Sequence, residues 1–126
     1  MTLHKSKDPR ADMCPVRDVI DRLANRWTIL ILHELEGGTL RFSQLNARIE
    51  DVSRRMLAQT LRNLEQDGLV TRTIFPTVPP RVDYTLTPLG QSLLEPMHGL
   101  IRWARKNHEA VRSARAAQNE RKATPD

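Results

Sequence analysis

Two helical apolar periods separated by only three residues constrain this chain more than anything else in it. The first runs from Ser43 and carries Leu45 and Ile49. The second opens at Ser53 in SRRMLAQTLRNLEQDGLV, and only Glu50, Asp51 and Val52 lie between them. Two helices on so short a link must fold back on each other as a helix-turn-helix unit. Ser43 and Ser53 are the expected N-caps, and Val52 with Leu57 occupies the two positions of a hydrophobic staple, although Met56 denies the second helix a full capping box. At about 100° per residue, Leu57, Thr60, Leu61 and Leu64 share one stripe, with Arg55, Gln59, Arg62 and Gln66 opposite. The stripe is built to pack, and the other side is free to touch a partner. A solvated charged face would explain such a helix in isolation, so its neighbours must decide.

Upstream, Pro15 suits a first helical turn, and Val16, Val19, Ile20 and Leu23 follow at helical spacing. WTILILHELEGG is apolar almost all round and stops at Gly37 and Gly38, as a buried central helix would. LRF is a short extended piece. Beyond Gly68 the period changes: LVTRTIF and RVDYTL, rich in β-branched and aromatic residues, flank the stiff tip PTVPP as a hairpin. From Thr87 a long helix is expected, striped by Leu89, Leu93, Leu94, Met97, Leu100, Ile101 and Ala104, with a kink at Pro96 aided by Gly99. This order of elements is that of a winged helix-turn-helix domain, mainly α with a small β-hairpin and a long kinked C-terminal helix. The domain is expected over residues 14–112. Residues 1–13 and 113–126, polar and poor in large apolar side chains, are expected to be disordered tails.

The chain of 126 residues has room for one such domain, and its 20 Lys and Arg against 15 Asp and Glu give a net charge of +5, favouring polyanionic partners. No apolar run approaches the roughly 20 residues that span a bilayer. The N-terminus lacks a secretory apolar stretch, and the single cysteine cannot form an internal disulfide, so a cytoplasmic setting is expected.

In a winged helix-turn-helix the second helix of the pair enters the major groove of double-stranded DNA with its first turns at base edges. Ser53, Arg54, Arg55, Gln59 and Arg62 lie there; arginine pairs with guanine and glutamine with adenine. Ser43 and Gln44 open the preceding helix and can donate to a phosphate, while Arg72 and Arg81 approach the hairpin tip and can reach an adjacent groove or its phosphates.

CPV, RWTILILHEL, RFSQL, SRRMLAQTLRNLEQDGLVTRTIF and PPRVDYTLTPLG, in that order and spacing, together resemble the HxlR-type regulators, a branch of the MarR-like winged-helix transcription factors. The resemblance runs from about residue 14 to about residue 106. One departure is ANRW, where that family usually carries glycine and lysine before the tryptophan. The resemblance implies a transcriptional regulator, read as a repressor, that binds a palindromic operator as a homodimer through its first and last helices. Val16, Leu93, Met97, Leu100, Ile101, Trp103 and Ala104 are the expected interface, since so broad an apolar stripe and a tryptophan exceed what a small domain buries alone.

Cys14, directly before Pro15, is expected at the N-cap of the first helix, where the helix dipole and nearby Arg17 favour a thiolate. Some members of the resembled family sense oxidants or electrophiles through a cysteine at this position. With no second cysteine, reaction would give a Cys14 to Cys14 bridge between chains, a mixed disulfide or an adduct. An inert cap is the plain alternative. No metal-ligand spacing, phosphate loop or nucleophile elbow is present, so no cofactor, metal or catalytic activity is expected. A winged-helix protein-interaction module and control by a non-covalent small effector stay open.

Overall fold

The computed structural model describes residues 13–123, so the expected N-terminal tail, but for Met13, and residues 124–126 lie outside the described residues. The elements run α1 (Met13–Leu23), α2 (Arg26–Leu35), β1 (Leu40–Arg41), α3 (Phe42–Arg48), α4 (Arg54–Gln66), β2 (Val70–Phe75), β3 (Arg81–Leu86), α5 (Pro88–Ser92) and α6 (Leu94–Ala123). The chain forms two units, residues 1–92 and 93–126.

In the first unit, Leu57, Thr60, Leu61 and Leu64 of α4 are all buried, as their spacing requires. They share the core with Ile31, Leu32 and Leu35 of α2 and with Leu45 and Ile49. Thr60 is admitted there because its Oγ1 donates to the Met56 carbonyl at 2.8 Å. Ser53 caps α4 as expected, its Oγ accepting from the Met56 N–H at 3.0 Å. The turn before it includes Asp51 at φ 68°, a conformation that Asp tolerates better than most residues.

The far end of α4 turns the chain sharply. Gly68 at φ 77° donates to the Glu65 carbonyl at 3.1 Å, and the next residue, Leu69, donates to the Leu64 carbonyl at 3.0 Å. This is a Schellman termination, closed by the burial of Leu64 and Leu69 together, and it launches β2. β2 and β3 pair antiparallel from Val70↔Leu86 to Phe75↔Arg81, giving the expected hairpin. The sheet has a third strand, β1, which pairs Leu40 with Tyr84 and Arg41 with Asp83, so the order is β1-β3-β2. Thr87 fastens the exit from β3: its Oγ1 donates to the Gly68 carbonyl at 2.6 Å and accepts from the Gly90 N–H at 3.0 Å.

Several local expectations are corrected. The N-cap of α3 is Arg41 and not Ser43: Gln44 reaches back with Oε1 to the Arg41 N–H at 2.8 Å, while Ser43 sits inside the helix. An arginine side chain has no acceptor to return the bond, so this is half of a capping box. α2 is buried on one face only, since Leu30 is 40% exposed. The departure ANRW is accounted for by Asn25, whose Oδ1 accepts from the Trp27 N–H at 2.8 Å and caps α2. α1 already includes Met13, so Cys14 lies inside the helix and not at its cap. Arg22 of α1 grips Asp67, the C-cap of α4, through Nε and Nη2 at 2.8 to 3.2 Å, and this hydrogen-bonded carboxylate raises the Arg22 pKa further above its usual value.

In the second unit, α6 is one continuous helix of 30 residues, so the chain expected to trail off after Arg112 is helical to Ala123. The expected kink at Pro96 is instead a break at Leu93, between α5 and α6. Pro96 then falls in the first turn of α6, where a missing N–H costs nothing. No helix among the described residues is long and apolar enough to cross a membrane.

Replacing Leu57 with Ala is expected to cost roughly 2 to 5 kcal/mol. Urea unfolding followed by circular dichroism should show a lower midpoint at unchanged slope; an unmoved midpoint would take α4 out of the core.

Candidate nucleic-acid interface

Burying one stripe of α4 turns the opposite one outward: Ser53, Arg54, Arg55, Gln59, Arg62 and Gln66 are all exposed. They are not equally free. Gln59 uses its whole amide, donating through Nε2 to Asn63 at 3.1 Å and accepting from Arg62 Nη2 at 3.1 Å. This chain of contacts orders Arg62 along the helix surface. Arg54 leans the other way, its guanidinium carbon 5.3 Å from the centroid of the Phe42 ring on α3. Arg55 makes no ion pair or side-chain hydrogen bond among the described residues.

The hairpin arginines are held more firmly than their sequence positions suggest. Arg72 is paired with Glu65 of α4 at 3.5 Å. Arg81 lies with its guanidinium carbon 4.2 Å from the Phe75 ring centroid and Nε 3.3 Å from Asp83 Oδ1, so it is held against the hairpin with its charge answered. That contact is a close ion pair without hydrogen-bond alignment, because Arg81 Nε and Asp83 Oδ1 are both buried without a hydrogen-bond partner. Ser43 and Gln44 are exposed, but Gln44 has committed its oxygen to the Arg41 N–H, leaving only its amide donor for a partner.

Between the start of α3, the start of α4 and the hairpin tip lies an open cleft of about 530 Å³. Arg41, Phe42, Ser43 and Arg54 line it on the helical side, and Pro79 and Arg81 on the hairpin side. The structure thus brings Ser43, Arg54 and Arg81 together, whereas Arg55, Gln59, Arg62 and Arg72 stand outside the cleft. Arg41 was missed from the sequence. Its one signal was a cation directly preceding a helix that also offers a serine and a glutamine in RFSQ.

Elsewhere, Cys14 is exposed on α1, beside an apolar row in which Val16, Val19 and Ile20 are 45 to 52% exposed. Of the other residues expected at a dimer interface, Leu100 and Trp103 are more than half exposed and Ala104 is exposed, while Leu93 and Ile101 are half-buried. Met97 is buried within this chain at 5% exposure, so it has little surface left for a partner.

Burial pushes the Tyr84 hydroxyl above its ordinary value near 10, with the charge of Arg72 offsetting part of the rise. A raised folded pKa favours the protonated native state. The stability this contributes is therefore complete below the unfolded value and is lost as pH rises through the folded one. Thermal midpoints should accordingly fall as the pH passes about 10, and Tyr84→Phe should reduce that fall; an identical alkaline profile in both proteins would contradict the assignment.

Residues 22–112 match the family model for HxlR-like helix-turn-helix proteins. The chain is 47% identical over 110 residues to YtfH of Escherichia coli (strain K12), named as an uncharacterized HTH-type transcriptional regulator, covering 85% of this chain and 87% of that one. Among solved structures, ytfH from Salmonella typhimurium superposes with a TM-score of 0.76 at 41% identity, over 88% of this chain and 99% of that one. The redox regulator HypR in its reduced form gives 0.73 at 30% identity, over 79% and 98%.

Proposed function

Because the chain belongs to the HxlR-like helix-turn-helix family, we propose that it is a DNA-binding transcriptional regulator which acts as a homodimeric repressor on a palindromic operator. The observation that carries the reading is the outward side of α4, where Arg54, Arg55 and Arg62 stand exposed opposite a fully buried leucine stripe. A winged helix that only bound another protein would have no need of three cations there with Arg41 and Arg81 close by. Arg55, unpaired among the described residues, is the base reader in this scheme, and Gln59 and Arg62 lie behind it on the same side. The apolar row of α1 and the exposed Leu100 and Trp103 of α6 form the dimer interface. The two reading helices then stand roughly 34 Å apart, one turn of DNA.

Cys14 is the proposed switch. It is exposed on α1, within the surface assigned to the dimer, and the similar HypR is named a redox regulator. An oxidant that takes two electrons and two protons from a pair of Cys14 thiols would bridge the protomers; an electrophile would alkylate each thiol with loss of its proton. Either change alters an interface that sets the spacing of the reading helices. The regulator works in the cytoplasm and has no catalytic step.

Fluorescence anisotropy on the DNA upstream of the protein's own gene tests this directly. Binding should be tight, fall steeply with salt, change on mild oxidation, and lose that change in Cys14→Ser. Arg55→Ala should cost about 1 to 3 kcal/mol on that DNA and far less on random duplex; equal losses on both would take Arg55 out of base reading. Trp103→Ala should move sedimentation towards the monomer, and an unchanged dimer would argue against the interface.

A further inference from the structure

The cleft beside α4 has a charge pattern that the base-reading side does not. Its walls carry three arginines, Arg41, Arg54 and Arg81, and no carboxylate. Arg81 is answered by Asp83, whereas neither Arg41 nor Arg54 enters an ion pair among the described residues. Two uncompensated guanidiniums thus face one open space of about 530 Å³, whose remaining walls set Phe42, Pro79, Val82 and their apolar neighbours beside the hydroxyls of Ser43 and Thr77. An anion with an apolar flank satisfies such a place.

Resting on the DNA-binding reading above, we infer that this cleft seats one phosphodiester of the DNA backbone, clamped between Arg41 and Arg54. Arg54 then touches the backbone and not a base edge, and Arg41 joins the interface. The planar fork of arginine matches two phosphate oxygens at once, and the apolar walls suit the adjoining deoxyribose. Both arginines are partly positioned before DNA arrives. Arg41 is fixed at its backbone by β1, where it pairs with Asp83, and by the bond from its N–H to Gln44. Arg54, the first residue of α4, is drawn over the Phe42 ring towards the cleft, away from Arg55, which follows it about 100° round the helix. Such positioning lowers the ordering cost of binding. Arg81 acts as a positioning residue: stacked on Phe75 and tied to Asp83, it holds the hairpin wall of the cleft.

A phosphate clamp is blind to sequence, so a labelled random duplex titrated with the full chain at several salt concentrations serves as the probe. Arg41→Gln and Arg54→Gln should each weaken binding by about tenfold. The double variant should flatten the dependence of log affinity on log salt by about one. Arg54→Gln should weaken random and upstream DNA by the same factor, and Arg54→Lys, keeping charge without the fork, should restore the salt slope with only part of the affinity. Both side chains are exposed, and a thermal midpoint for each variant reports on folding independently. A folded double variant with the parent's affinity and slope overturns the clamp while leaving the DNA reading intact. Selective loss on upstream DNA by Arg54→Gln returns that residue to base reading and also overturns it. Failure of the parent chain to bind any duplex overturns both.

Discussion

Burial of the leucine stripe of α4 is the constraint on which the rest depends. Once Leu57, Leu61 and Leu64 enter the core, the rotation of the helix about its axis is fixed, and with it the direction of every cation on the other side. The same burial fixes the helix end. Leu64 and Leu69 close together across the glycine turn at Gly68, so the chain leaves α4 in a set direction and the hairpin rises beside the helix instead of elsewhere. A hydrophobic contact thereby decides the placement of charges it never touches.

The charges themselves divide into two kinds. Arg62, Arg72 and Arg81 are engaged by Gln59, Glu65 and Asp83, and these contacts hold their side chains in defined places at the surface. Among the described residues, Arg41, Arg54 and Arg55 keep their charge unanswered. Surface ion pairs contribute little to stability, so the difference matters less for folding than for what is available to a partner. An arginine that must first give up a carboxylate offers less net gain than one that is already free.

Much of this was legible in the sequence, and for identifiable reasons. The α4 stripe, the Ser53 cap and the hairpin are each written in neighbouring residues, and all three were readable. The three-stranded sheet was not, because the pairing of Arg41 with Asp83 spans residues far apart in the chain. The cap of α3 was misassigned because Ser43 has the better intrinsic preference, while the reach of Gln44 sets the cap two residues earlier, at Arg41. Beyond Arg112, the absence of large apolar residues suggested a tail. Ala114, Ala116 and Ala117 carry a strong local preference for helix, and α6 follows that preference. The ion pairs of Arg72 and Arg81 depend on how α4 meets β2 and on side-chain directions within the hairpin, which periodicity does not encode.

The order β1-β3-β2 leaves β2 at the margin of the sheet, with six residues whose outer backbone groups have no neighbouring strand among the described residues. A bare margin of that kind is a template on which another chain could polymerise. Here Arg72 stands in the middle of β2, and Pro76 follows directly after its end. A cation desolvates poorly, and a proline cannot extend the row of donors. The composition of the hairpin therefore also discourages the sheet of one copy from being extended by a strand of another.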